Sequence, residues 1–317
     1  MIPLPLGVPT ERRVNVIVTC ANRKLRPVPD ELRLGSFART SVADRLERWV
    51  SALERHSTAS CPADLLYGGE HWQVARTLGA QVEVSGWDAR TWVCSAGYGL
   101  VPVGAPLKPY GATFATAHED SVGETAAETR SWWEALTGWD GPAAGPRSLE
   151  ALAGEARDAA FVVVLSPSYL RACADDLLRA IGVMESPDRL SIVSIGGTPP
   201  RELREFVLPG DAHLQTVLGG SLGALNVRVA QRLLRMSADS AMDRATLAEH
   251  VAALASSGGV REIPRRQPMS DDDVRKFIME NLSERSTHTS LLRKLRDSGL
   301  ACEQKRFARL FAATVGG

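Results

Sequence analysis

The sequence predicts an α/β fold, a mostly parallel sheet flanked by helices, with a small all-α C-terminal domain after it. Three observations carry that expectation. Four β-rich apolar runs end in small or polar residues: VNVIVTC at 14–20, TWVCSAG at 91–97, FVVVLS at 161–166 and SIVSIGG at 191–197. Runs of this length bounded by turn formers read as buried strands. Helical patterns lie between them, and alternation of strand and helix is the mark of a parallel sheet. Residues 258–273, GGVREIPRRQPMSDDD, are rich in Gly, Pro and charge and read as a linker.

In chain order, the first strand run is followed by the helical patterns SVADRLERWVSALERH (41–56) and GEHWQVARTLGAQ (69–81). ETRSWWEAL (128–136) follows the second run, and YLRACADDLLRAIGVM (169–184) the third. After the fourth, GGSLGALNVRVAQRLLRM (219–236) is a glycine turn feeding an amphipathic helix, and ATLAEHVAALASS (245–257) is a last helix. The main domain is therefore expected over 1–257 and a helical domain over 274–317. The first helix of the latter opens at an N-cap, Ser270, with three acids in its first turn, where the helix dipole favours them. STHTSLLRKLRDSGLACEQKRFARLF then reads as helix, a break at Ser298 and Gly299, and helix again.

The chain has 317 residues, 44% hydrophobic and 23% charged, and no stretch reaches the roughly 20 apolar residues of a membrane span. MIPLPLGVPTERR carries prolines in its apolar part and its charges after it, unlike a signal peptide. Five scattered cysteines form neither CxxC nor a Cys/His spacing, so neither a disulfide framework nor a metal site is expected, and the thiols fit a cytoplasmic location. Net charge is zero, but 12 Lys/Arg face 8 Asp/Glu from Arg261 onward. A mildly basic tail is compatible with a nucleic-acid contact.

Ligands of open α/β sheets bind at the carboxyl ends of strands, and this selects the candidate site residues. The first strand ends in TCANRKLRP, placing Cys20, Asn22, Arg23 and Lys24 at that edge. Arg and Lys suit a phosphate and Asn an amide or base edge; a solvated basic loop is the alternative. At the second strand end, Ser95, Gly97, Tyr98 and Gly99 form a glycine turn with two hydroxyls. The turn matches neither a Walker loop nor GxGxxG, so no cofactor is expected. LKPYGATFATAHEDS adds Tyr110 and, at 118–121, His118, Glu119, Asp120 and Ser121, an imidazole, two carboxylates and a hydroxyl able to position a water or a sugar hydroxyl. Asp120 is alternatively the cap of the next helix. Tyr67 precedes a helix amino terminus, a favourable place for an anion. Ser166 and Ser168 flank Pro167 at the third strand end, as ligands or caps, and Arg228 follows a Gly219–Ser221 turn that can cradle an anion.

VTCANRK, LYGGEHW, CSAGYGLV followed by KPY, and LSPSYL together resemble a bacterial domain of unknown function. That domain is itself similar to YaaA-type peroxide-stress proteins and to the uracil-DNA-glycosylase-like domain of archaeal tRNA-guanine transglycosylases. The resemblance covers roughly 14–230 and rests on Cys20 with Arg23 and Lys24, on Ser95, Gly99, Leu100 and Pro102, and on Pro109 with Tyr110. It implies a link to nucleic acid or modified bases, with DNA or RNA as partner and a nucleotide or nucleobase as ligand. N-glycosidic chemistry would use Ser95, His118 and Asp120; the alternative is a non-catalytic DNA-binding or nucleotide-sensing protein, or an assembly subunit. Leu165 stands where a glycosylase His-Ser-Pro loop would have its His. The C-terminal segment is similar to helix-turn-helix modules, with Gln304, Lys305, Arg306 and Arg309 suited to DNA. Its alternative is a hairpin docking Leu292, Leu295, Phe307 and Leu310 on the main domain or, in a homo-oligomer, on a second subunit.

Overall fold

The computed structural model describes residues 12–238, 240–257, 267–283 and 286–315. The chain divides into two compact units, 1–259 and 260–317. The expected linker segment 258–266 and the side chain of Lys305 lie outside the described residues.

The first unit is built on a five-stranded sheet. β1 (Arg12–Thr19), β2 (Trp87–Ser95), β3 (Gly99–Pro102), β4 (Ala160–Val164) and β5 (Leu190–Val193) lie in the order β3-β2-β1-β4-β5. Only β3 is antiparallel, a hairpin return on β2 that pairs Ser95 with Gly99. β1 is central, with Val16 opposite Thr91 on one side and Val162 on the other. Residues 14–19 of β1 are all buried, as in a parallel strand covered on both faces. The chain runs from β1 to β2, then crosses to β4, so the topological switch lies at the carboxyl end of β1.

The helices that cover the sheet form two packed groups. One group holds α1 (Val42–Arg55), together with the helices at Ala126–Thr137, Leu149–Glu155, Pro167–Ala172 and Ala174–Val183; the other holds those at Glu70–Ala75, Leu78–Glu83, Leu225–Met236 and Arg244–Ser256. The single helix expected at 69–81 is broken: the Thr77 hydroxyl and amide both donate to the Val74 carbonyl, competing with helical bonding. The helix at 126–137 is capped by Thr125, whose hydroxyl accepts from the Glu128 amide while Glu128 accepts from the Thr125 amide. Asp120 is thus not its cap.

The second unit packs helices Asp271–Asn281, His288–Asp297 and Gln304–Val315 around Val274, Ile278, Leu291, Leu292, Leu295, Phe307 and Leu310. A two-residue ladder ties Gln267–Pro268, before the first of these helices, to Leu300–Ala301, between the second and third. Residues 267–273, expected as linker, therefore belong to this unit. The Leu292, Leu295, Phe307 and Leu310 face is filled by Val274 and Ile278 of the unit's own first helix. Among the described residues no helix is long and apolar enough to cross a membrane.

Candidate functional site

The loop after β1 runs along residues 66–68. The Leu25 amide donates to the Leu66 carbonyl at 2.8 Å, and the Gly68 amide to the Arg23 carbonyl at 3.0 Å. A second short ladder links Leu32, Arg33 and Leu34 to Gly111, and Thr113 pairs with Asp120 and Val122. These backbone pairings bring three distant segments to one edge of the sheet.

They enclose a cleft of about 370 Å³ lined by Asn22, Arg23, Lys24, Arg26, Pro27, Val28, Arg33, Tyr110, Gly111, Ala112, His118, Glu119 and Asp120. Four cations there face two carboxylates. Arg33 is engaged, its guanidinium 3.6 Å from Asp120 and 3.5 Å from Asp30. Asp120 is buried and also accepts from the Gly35 amide at 3.1 Å. A Cβ at Gly111 would stand 2.6 Å from Asp120 Oδ2, so a glycine there lets the carboxylate approach the backbone. The Asp120 amide donates to His118 Nδ1 at 3.0 Å, which leaves Nε2 as the nitrogen free to donate.

Lys24 forms the inner wall. Its ammonium donates to the Ala21 carbonyl at 2.7 Å and lies 4.1 Å from the centroid of the Tyr110 ring, an attractive position over the π face. Burial pulls its pKa down to about 8, helped by the Arg33 guanidinium, and the nearby Asp120 carboxylate only partly offsets that desolvation.

Of the residues expected at a site, Asn22, Arg23, Lys24, Tyr110, His118 and Asp120 meet in this cleft. The others do not line it. Ser95 is fully buried; its hydroxyl accepts from the Tyr98 and Gly97 amides and lies 2.7 Å from the Tyr110 hydroxyl. That corrects the catalytic expectation for Ser95, whose lone pairs serve its own turn. Tyr67, also buried, bonds Tyr110 from the other side at 2.9 Å. Tyr98 is buried against Trp139, with its hydroxyl on the Lys108 backbone. Burial pushes the phenols of Tyr67, Tyr98 and Tyr110 up, so they stay neutral hydroxyls. The Gly97 and Ala96 carbonyls accept from the Trp49 and Trp132 indoles, and Gly99 holds a positive φ of 73°. Gly97 and Gly99 are thus turn-forming and packing residues.

Cys20 is buried with its sulfur 3.0 Å from the Tyr169 hydroxyl. Ser166 and Ser168 bond each other at 3.3 Å at the end of β4, outside the cleft. Arg228 is paired with Glu70 at 2.7 Å, and the Glu70 carboxylate also accepts from the Ser221 amide. The glycine turn at 219–221 does cradle an anion, and that anion is the protein's own. In the second unit Arg306 is likewise engaged, 2.5 Å from Asp271, while Gln304 and Arg309 are exposed.

Sequence reading singled out Glu119 only as one of the two carboxylates of its loop, and missed Arg26 and Arg33. Arg26 lies within the basic stretch already singled out, whereas Arg33 is brought in only by the ladder to Gly111, for which no spacing rule exists. Among the described residues no three His, Cys, Asp or Glu side chains are grouped to hold a metal ion. Compared with family models, curated proteins and solved structures, the chain matches none.

Proposed function

We propose that the first unit binds a nucleotide or a nucleic-acid strand through this cleft, with Arg23 and Arg26 as phosphate ligands. One observation carries the reading: among the described residues neither guanidinium has a carboxylate partner, although both line a concave surface at a strand end. A guanidinium fork matches phosphate oxygens in geometry as well as charge. The exposed Asn22 amide offers both a donor and an acceptor to a base edge. Exposed Arg293, Lys294, Gln304 and Arg309 on the second unit favour a polymer over a free nucleotide. For N-glycosidic chemistry, His118 Nε2 and Asp120 are the remaining candidates for proton transfer and for positioning a water.

The test is binding of labelled single- and double-stranded DNA and RNA across a salt series, with the full chain and its Arg23→Ala/Arg26→Ala variant. If each guanidinium neutralises one phosphate, the variant binds more weakly and its log K against log salt slope is shallower by ~1.8 on duplex DNA or ~1.4 on a single strand. Superimposable curves for the two proteins overturn the assignment.

A further inference from the structure

We propose that Lys24 is a nucleophilic amine that forms an imine with the aldehyde of a phosphate-flanked sugar, as presented by an abasic nucleotide in DNA. The inference rests on the phosphate-binding reading of the cleft, and adds to it a reacting atom and a substrate class.

Lys24 lines the same cleft as Arg23 and Arg26, which have no carboxylate partner among the described residues, so a sugar between phosphates held by those arginines would lie beside its amine. The amine is fixed but not neutralised. Its contacts are two carbonyls, Ala21 at 2.7 Å and Asn22 at 3.5 Å, and the Tyr110 and Tyr67 ring faces at 4.1 and 5.4 Å. No carboxylate stands within ion-pair distance of it among the described residues, since Asp120 is taken by Arg33. The other cleft cations are arginines, which do not deprotonate in proteins. Lys24 alone can present a free amine there, and with its pKa lowered to about 8 a sizeable fraction does so in mildly alkaline solution. The chain before residue 261 has only one other lysine, Lys108, whose ammonium is bound to the Leu53 and Glu54 carbonyls outside the cleft.

In the reaction the lone pair of Nζ attacks the aldehyde carbon and a C–N bond forms as the carbonyl π pair moves to oxygen. Both amine hydrogens leave with that oxygen as water, giving the imine. No oxidant or second substrate is required. His118 Nε2 is the donor available to the departing oxygen.

The experiment is borohydride trapping at pH 8 with the full chain and duplex DNA carrying one abasic site, where hydride addition to the imine leaves a stable secondary amine. The expected result is a covalent protein–DNA adduct whose modified peptide contains Lys24. The Lys24→Met variant should give at least tenfold less adduct when compared at DNA concentrations that saturate each protein, while Lys108→Met traps as the unaltered protein does. Mapping on the unaltered protein decides the matter if Lys24→Met does not fold. An adduct at another amine, or no adduct from a chain that binds this DNA, overturns the role of Lys24 and leaves phosphate binding standing. Absence of any binding overturns the phosphate reading itself, and this one with it.

Discussion

The hydroxyl of Tyr110 lies 2.7 Å from that of Ser95 and 2.9 Å from that of Tyr67, so one phenol joins the turn after β2 to the floor of the cleft. Ser95 acts through this bond and through its own turn. Ser95→Ala is expected to cost ~1–3 kcal/mol, because a buried Tyr110 hydroxyl and two turn amides lose a partner. Urea denaturation measures that cost. Nucleic-acid affinity of the folded variant should be unchanged, since Ser95 does not reach the cleft.

Gly97 is a packing requirement of the same turn. A Cβ there would fall 2.6 Å from the Tyr110 ring and 3.2 Å from Trp49, both of which are fully buried. Overpacking of this kind costs ~1–3 kcal/mol. Gly97→Ala should therefore lower the melting temperature, and adding Tyr110→Ala should relieve part of that specific penalty in a double-mutant cycle.

Lys24 makes stability depend on pH in a definite direction. Its folded pKa, about 8, is below the ordinary 10.5, so between these values the unfolded chain binds more protons than the native one. The resulting contribution is present above pH 10.5 and is lost as pH falls through 8. Relative to Lys24→Met, the unaltered protein should gain stability between pH 7.5 and 10, as denaturation at the two pH values would reveal. A difference that stays constant would show that Lys24 titrates normally.

The Glu70–Arg228 pair is expected to be structural. Bonds from Ser221 and Arg228 hold the Glu70 carboxyl below its usual range, so its contribution is present at neutral pH and lost as pH falls below that range. Glu70→Ala and Arg228→Ala should each cost about 1 kcal/mol, and the double variant less than their sum. Strict additivity, read from melts of the four proteins at pH 7, would mean that the two residues do not stabilise one another.

The α/β architecture was legible because its signal is local. Val14, Val16, Ile17 and Val18 announce a strand buried on both faces in any context, and the amphipathic periods between strands announce crossover helices. The basic loop after β1 was legible for the same reason, as strand ends are where such sheets bind ligands. What the tertiary structure alone decided was which polar groups are already spent. Arg228 and Arg306 look like available cations in the sequence, yet Glu70, 158 positions from Arg228, and Asp271, 35 positions from Arg306, occupy them. Ser95 and Tyr98 look like site hydroxyls until Tyr110 and the Lys108 backbone claim them, and Arg33 enters the cleft only through its ladder to Gly111. Strand and helix propensity depends on neighbours within a few residues, whereas hydrogen-bond satisfaction depends on partners that only chain folding brings within about 3 Å. The sequence by itself therefore determined the sheet and the basic loop at the end of its first strand, and the long-range pairings determined which polar side chains around that loop are already engaged.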